Sequence, residues 1–545
     1  MGNRKIILVL SGEICAGKTT LANQLVEKFN FKTCKTRDGV QYFASKKFKG
    51  VTPDRVTLQK FGEQLDKKTE GKWVLDYFQH LFSSEFNEHS FFLIDSVRIF
   101  NQIKKLRSAY SYVVYHIHLR AQSESLEERF YKRNEFSDIA NSKERYKLLK
   151  QDTTEAKVNE LENEADLIID TDRCNAQDVL VRVASFLNLL STTHRSLVDV
   201  IVGGQFGSEG KGQIAAHIAP EYDCLMRVGG PNAGHSVFEL PDKHVFHLLP
   251  SGTIRNPNAK LLIGPGAVLN LKKILEEIKH FGVEDANRLV IDENAIIITD
   301  DDIKFEQKVK DQISSTGQGV GHATANNILA RLNGVDAHKA KNYTSYLKQY
   351  IGSTYDELEK LYRDDKKVLL EGTQGTALSL HHGLYPHVTS RDTCVSGCLS
   401  EAGISPMRVR KIIMVTRTYP IRVGGASGPL VSNEINWDIV ADRSGKSPEE
   451  LKRTEKTTTT KKDRRVAEFS WTMFRKACEL NSPTDIALTF TDYISAQNEK
   501  ARRYDQLTRE TRQLIEEIER CSGVKASLIG TCFDYRAIID RRNWR

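Results

Sequence analysis

Hydrophobic positions along this chain come in short continuous runs separated by amphipathic stretches. KIILVL (5–10) is apolar without alternation, the pattern of a strand covered on both faces. A glycine-bearing turn follows, and TTLANQLVEKF (19–29) reads as a helix. FFLID (91–95), YVVYHIHL (112–119) and ADLIIDT (165–171) are further predicted strands, with helical stretches such as 140–163 between them. Strands alternating with helices predict an α/β fold with a helix-covered parallel sheet.

Around NLLSTTHRS (188–196) the pattern lapses into polar residues, and LVDVIVGG then starts a second strand and a second glycine loop. The boundary is expected near 193–197, giving domains 1–195 and 196–545. The second part is richer in glycine. Its predicted strands are KLLIG (260–264), RLVIDENAIII (288–298), KVLLEG (367–372) and KIIMVT (411–416). LKKILEEIKHFG (271–282) and YDQLTRETRQLIEEIERCSG (504–523) are predicted amphipathic helices, the first ended by its glycine. The Lys- and Thr-rich stretch 452–462 is expected to be a surface loop.

Composition changes this picture little. A chain of 545 residues supports several cores, and 28% charged residues fit a soluble protein. No apolar run approaches a membrane span and no leader-like segment opens the chain, so a cytoplasmic protein without membrane partners is expected. Nine cysteines include one pair four apart, Cys394 and Cys398, with no second pair to complete a metal site, so reduced thiols are expected. The net charge of +8 is spread among acids, with no aromatic-interleaved basic stripe. Small anionic substrates, rather than nucleic acid, account for it.

Two loops carry candidate chemistry. In SGEICAGKTT (11–20), Gly12, Gly17, Lys18 and Thr19 fit G-x-x-x-x-G-K-[ST] between a strand and a helix. Backbone N–H groups cradle phosphate there, Lys18 reaches the outer phosphates and Thr19 can ligate Mg²⁺. Asp95 ends a strand where a second Mg²⁺-orienting carboxylate would stand. Arg98 follows it. Arg37 and Arg55 are candidates for gripping an acceptor phosphate, and Arg129 and Arg133, four apart on a helix, for a lid over the transferred group. This half resembles the nucleoside monophosphate kinases, mainly through the loop and the Asp95–Arg98 segment. That implies phosphoryl transfer from a triphosphate to a nucleoside monophosphate.

The second loop, VGGQFGSEGKGQ (202–213), is not a standard Walker sequence, because Gly212 follows Lys211 where a hydroxyl is usual. RVGGPNAGHSV (227–237), SSTGQGVG (314–321), LEGTQGTALSLHHGLYPHVTS (370–390), RTYPIRVGG (417–425) and RRVAEF (464–469) follow in order. Together they resemble the adenylosuccinate synthetase family over roughly 198–545. The resemblance implies a ligase that phosphorylates O6 of a purine monophosphate from a nucleoside triphosphate and then lets L-aspartate displace that phosphate at C6. It implies Mg²⁺, ATP or GTP, and a homodimer.

By the same resemblance, His235 serves O6, and Lys211, with Gly207, Gly210 and Gly212, holds the triphosphate. Asn232 and the Gly234 carbonyl lie beside O6 and Mg²⁺. Thr316, Gln374 and Thr389 contact the monophosphate, and Arg331 is lent across the dimer to its phosphate. Thr459, Thr460, Lys462, Arg464 and Arg465 belong to the aspartate-gripping loop, with Lys462 where the family often has arginine. Asp492 matches the guanine-reading aspartate, but Phe490 replaces a usual lysine, which leaves ATP and GTP both open.

Ser208 is the main departure, since the family has an aspartate there that acts as base at N1 and contacts Mg²⁺. Serine is a poor base but leaves room for a 2-amino group. It resembles phage-type enzymes that act on dGMP. A dGMP-dependent ligase fused to a kinase is therefore expected. An IMP-dependent enzyme and a nucleotide sensor are the alternatives.

Overall fold

The computed structural model describes residues 5–48, 55–83, 89–133, 146, 157–190, 195–239, 241–310, 316–333, 338–456 and 462–542. It divides into two compact units, Met1–Thr192 and Thr193–Arg545.

The first unit is built on a five-stranded sheet in the order Lys32–Lys35, Phe91–Asp95, Ile6–Ser11, Val114–Arg120, Leu167–Asp170. Every pairing in it is parallel. Its central strand shows why the run 5–10 does not alternate. Ile6, Leu8 and Leu10 pack with Leu21, Leu25 and Val183 on one face, while Ile7 and Val9 pack with Phe78, Ile103 and Leu106 on the other. Both faces are covered by helices, so both sets of side chains must be apolar.

The second unit carries a ten-stranded sheet whose middle runs Lys260–Ile263, Cys224–Arg227, Val368–Glu371, Val198–Gly203, Val409–Arg417, Asp485–Thr489. These neighbours are parallel, so their carboxyl ends lie along one edge, the edge where open α/β sheets bind ligands. Only the last strand, Ile538–Asp540, runs antiparallel to its neighbour.

Two stretches differ from the pattern-based expectation. Residues 288–298 form two strands, Leu289–Asp292 and Ile296–Ile297, in different sheets. The Asp292 carboxylate accepts from Asn294 N at 2.9 Å and Thr354 Oγ1 at 2.7 Å, fixing a turn that the apolar run conceals. The helix expected over 504–523 begins only at Arg509, after a separate 3-10 turn at Tyr504–Gln506. Most of the helix expected over 140–163 lies outside the described residues, and its visible end is a 3-10 turn, Asn159–Glu164. No helix among the described residues is long and apolar enough to cross a membrane.

Candidate active sites

In the first unit the loop 11–17 joins Ile6–Ser11 to the helix Lys18–Phe29. Gly12 has φ +134°, and a Cβ there would lie 2.1 Å from the Leu119 carbonyl oxygen, so only glycine lets the loop pass the neighbouring strand. Lys18 Nζ donates to the Gly12 and Glu13 carbonyls at 2.6 and 2.8 Å. A cavity of about 900 Å³ opens over the loop. Gly12, Gly17, Lys18, Thr19, Arg37, Arg98 and Arg129 all line it, so seven of the expected residues converge on one space.

Arg129 is not poised as a free lid. It donates to Thr171 Oγ1 at 2.8 Å, the Thr171 carbonyl at 3.0 Å and Asp172 Oδ1 at 2.9 Å, which makes it a fixed wall. Asp95 ends its strand opposite Lys35. The backbone carbonyls of Asp95 and Ser96 accept from Thr36 Oγ1. Arg55 begins the helix Arg55–Thr69 and Arg133 ends Ser123–Arg133; their side chains lie outside the described residues.

Beneath the loop, Ser11 Oγ lies 2.6 Å from His116 Nε2 and 2.8 Å from His118 Nδ1. All three side chains are buried, and burial pushes both imidazoles down to about 4.

In the second unit the loop 204–210 leaves Val198–Gly203 and enters the helix Lys211–Ile218. Lys211 is 2% exposed, and its Nζ donates to Glu209 Oε2 at 2.7 Å and the Gly207 carbonyl at 3.2 Å. Glu209 Oε1 accepts from the backbone N–H groups of Gln205 and Gly207 at 3.0 and 2.6 Å. Both Glu209 oxygens are thus committed to shaping the loop, and this carboxylate does not substitute for the family aspartate at 208. Ser208 itself is half-buried, and its carbonyl accepts from Arg417 Nη1 at 3.2 Å.

Gly212, in the first turn of that helix, is tightly packed. A Cβ there would sit 3.1 Å from His235 Cβ and 3.3 Å from Ser251 Oγ. A side chain after Lys211 would press on the histidine, so the close approach of His235 favours glycine there. His235 Nδ1 is 2.5 Å from Glu371 Oε1, and Glu371 also accepts from Ser251 N at 2.7 Å and Ser251 Oγ at 2.5 Å. His235 Nε2 is buried with no hydrogen-bond partner.

Glu371 stands in register with Arg227 on the adjacent parallel strand. Burial opposes ionisation of Glu371, but Arg227 and His235 hold it down at about 2. Burial and the Arg227 charge push His235 to about 4, against the pull of Glu371. The pair is therefore a neutral imidazole donating Nδ1–H to a carboxylate, with Nε2 presented as the unused atom. Glu371 was present in the quoted LEGTQG motif, but its role was not legible there, because the contact joins residues 136 positions apart.

Several of the expected substrate residues bond one another. Thr316 Oγ1 donates to Asn232 Oδ1 at 2.8 Å. Gln374, at φ +65°, donates Nε2–H to Thr389 Oγ1 at 2.8 Å. Gly234 immediately precedes the strand His235–Glu239.

The expected aspartate-gripping arginines are engaged elsewhere. Arg464 donates to Glu455 Oε2 at 2.9 Å, and Arg417 and Tyr493 bond Glu455 Oε1 at 2.8 and 2.7 Å. Arg465 pairs with Glu434 and donates to the Gly428 carbonyl at 2.8 Å. An incoming carboxylate would have to displace these partners. Lys462 is exposed just before the strand Arg464–Ala467, and Thr459 and Thr460 lie outside the described residues. Arg331 sits on an exposed 3-10 turn, bonded to the Ile328 carbonyl at 2.9 Å, beside exposed Ile328, Leu329 and Leu332.

Among the described residues no group of three His, Cys, Asp or Glu is placed to hold a metal. Mg²⁺ at phosphoryl sites is carried largely by substrate phosphates and water. Thr19 with Asp95, and Ser208 with the Gly234 carbonyl, are oxygen donors of the kind that complete such a shell.

The family model for adenylosuccinate synthetase matches residues 200–337 and 330–499. The chain belongs to the adenylosuccinate synthetase family. The synthetase of Methanocaldococcus jannaschii is 35% identical over 354 residues, 63% of this chain and 96% of that protein. That of Thermococcus onnurineus is 35% identical over 353 residues, covering 63% and 98%. Two solved structures share the fold. The fully ligated synthetase of Plasmodium falciparum is 24% identical with a TM-score of 0.55, covering 64% of this chain and 100% of that one. The cyanophage S-2L succinoaminodeoxyadenylate synthetase, bound to dGMP and to dATP as energy donor, is 25% identical with a TM-score of 0.53, covering 64% and 96%. The second unit is thus an adenylosuccinate synthetase-type ligase.

Proposed function

We propose that the ligase unit, residues 196–545, joins L-aspartate to C6 of dGMP, and that the unit 1–195 is a nucleoside monophosphate kinase. The observation that carries the acceptor assignment is the pair Ser208 and Glu209. Residue 208 has no carboxylate, and the neighbouring carboxylate is fully occupied by loop N–H groups and Lys211. Nothing acidic in this loop then crowds the 2-amino group of guanine. The cyanophage relative is described with dGMP bound, which agrees.

The residues divide the work as follows. Lys211 keeps Glu209 and turns its remaining N–H to the outer phosphates of the donor, the role Lys18 takes in the first unit. His235 Nε2 faces O6, and Glu371 fixes the ring through Nδ1; once Nε2 takes up a proton, the imidazolium paired with Glu371 stabilises and can protonate the oxygen on which charge develops. Asn232, Thr316, Gln374 and Thr389 orient the monophosphate. Arg464 and Arg465 exchange Glu455 and Glu434 for the two aspartate carboxylates. Bound Mg²⁺, near Ser208 and Gly234 in this unit and near Thr19 and Asp95 in the first, would neutralise phosphate charge. Arg331 and its exposed apolar neighbours fit a homodimer in which one subunit completes the other's phosphate pocket.

In the first unit the reading rests on the cavity shared by the phosphate loop and Arg37 and Arg98. The test is to incubate the protein with dGMP, aspartate and a triphosphate, and to weigh the product. A product heavier by the aspartate added at C6, formed with stoichiometric phosphate release, supports the ligase assignment; absence of any such product from dGMP refutes it. A second reading, IMP as acceptor, is favoured by the archaeal relatives at 35% identity, and IMP turnover alone would establish it.

A further inference from the structure

We propose that Arg417 is a positioning residue for acceptor choice: by holding the main chain of Ser208 it fixes how residue 208 meets the purine base, and so sets the ligase's discrimination between dGMP and IMP. This rests on reading residues 196–545 as a ligase whose residue 208 meets the acceptor base. The two bases differ there by one 2-amino group, so the choice depends on the place of one hydroxyl. Hydrogen bonds hold over donor–acceptor distances of about 2.7–3.2 Å, and a displacement of about 1 Å forfeits them.

The fold brings Arg417 to the phosphate loop from 209 positions away. Its strand, Val409–Arg417, lies parallel to Val198–Gly203, with Val415 in register with Gly203. Where the second strand gives way to the loop, the first runs on to Arg417. There the Gln205 side chain takes the place of a strand partner. Arg417 N–H donates to Gln205 Oε1 at 3.1 Å, and Gln205 Nε2 donates back to the Arg417 carbonyl at 3.0 Å. The segment that carries Gln374 fixes the loop from another side. Ala377 N–H donates to the Gln205 carbonyl at 3.0 Å, and a Cβ on Gly207 would lie 3.0 Å from Gln374 Cα. Thr489 Oγ1 takes the Glu209 carbonyl at 2.7 Å. Ser208 lies between these anchors, and Arg417 Nη1 takes its carbonyl at 3.2 Å. This restraint acts on the main chain and leaves the hydroxyl to meet a ligand.

The guanidinium is itself fixed. It is 1% exposed, lies 4.0 Å from the centroid of the Phe490 ring, and its Nη2 donates to Glu455 Oε1 at 2.8 Å. Tyr493 donates to the same oxygen at 2.7 Å. Glu455 supplies the countercharge that a buried arginine needs. Two nitrogens of one rigid fork thus serve Ser208 and Glu455 together, a geometry that a lysine ammonium does not reproduce.

The experiment is kcat/KM of the full-length chain for dGMP and for IMP, with saturating aspartate and ATP, or GTP where ATP is not used. Wild type, Arg417→Lys and Tyr493→Phe are compared. Arg417→Lys keeps the charge beside Glu455 and loses the span to Ser208, so the acceptor ratio should move about tenfold toward unity, the worth of one hydrogen bond. Tyr493→Phe weakens the same Glu455 cluster without touching the Ser208 bond, and should keep the wild-type ratio. If Arg417→Lys does not fold, the double variant Arg417→Gln with Glu455→Gln, which removes both charges of the pair, takes its place. The wild-type ratio alone reads the acceptor assignment: a preference for IMP that Arg417→Lys erodes would refute that assignment and uphold the role of Arg417. If neither acceptor turns over, calorimetric binding of dGMP and of IMP to the same full-length chains reads the ratio, the first unit contributing equally to each. A wild-type ratio already near unity, a ratio unmoved in Arg417→Lys, or one moved equally in Tyr493→Phe overturns the proposal.

Discussion

On the proposed acceptor reading, a carboxylate at residue 208 would lie against the part of the purine ring where guanine carries its 2-amino group. Ser208→Asp should therefore lower kcat/KM for dGMP and raise the relative use of IMP, shifting the ratio at least about tenfold; steady-state kinetics with the two acceptors measures it. A second expectation concerns Glu371. Its carboxylate accepts from His235 Nδ1 at 2.5 Å and so orients the ring. Glu371→Gln keeps the shape but removes the charge, and kcat should fall about 100-fold with KM for the triphosphate little changed. An equal loss in KM would mean that Glu371 supports the pocket and not the proton transfer. The sequence showed Ser208, Lys211 and His235 because each lies in a contiguous motif. It did not show that Glu209 is spent on Lys211 and two loop N–H groups, since a side chain's direction is set by backbone around it. Arg417 was equally silent: it stands in the motif RTYPIRVGG, but strand pairing brings it to Ser208 across 209 positions.

The elements explain which predictions from pattern succeeded. Runs such as 5–10 and 198–203 became buried central strands because both faces of each sheet are covered, and a continuous apolar run is the direct record of that burial. Asp199 is the exception within the second run. It is buried, yet satisfied by Tyr222 at 2.6 Å and Arg410 at 2.8 Å. The polar strand Lys32–Lys35 went unseen because it lies at the edge of its sheet, where burial leaves no such record. On the strand Val114–Arg120, beside the central strand of the first unit, the buried His116 and His118 make a stability prediction. Burial depresses both folded-state values from 6.5 to about 4. Below pH 6.5 the unfolded chain takes up protons that the folded unit refuses, so stability present at neutral pH is lost as pH falls toward 4. Calorimetry should show the first unit losing on the order of 1–3 kcal/mol between pH 7 and pH 5. A melting temperature that does not change over this interval would contradict burial of two neutral imidazoles.

At the scale of the whole molecule, two phosphate loops of different design occupy two separate units. Each loop holds its lysine on its own groups: Lys18 on two carbonyls, Lys211 on Glu209 and a carbonyl. The activities should therefore separate cleanly. Lys18→Ala should abolish triphosphate-dependent phosphorylation of monophosphates while leaving aspartate-dependent phosphate release, and Lys211→Ala should do the reverse, each by at least about 100-fold. Loss of both activities in either variant would argue for one shared site. The central claim is narrower, that the ligase unit acts on a guanine deoxynucleotide. Its most direct test is a competition: equal concentrations of dGMP and IMP with aspartate and triphosphate, both succinylated products being quantified by mass. The account predicts that the dGMP product dominates by at least about tenfold, and predominance of the IMP product would contradict it.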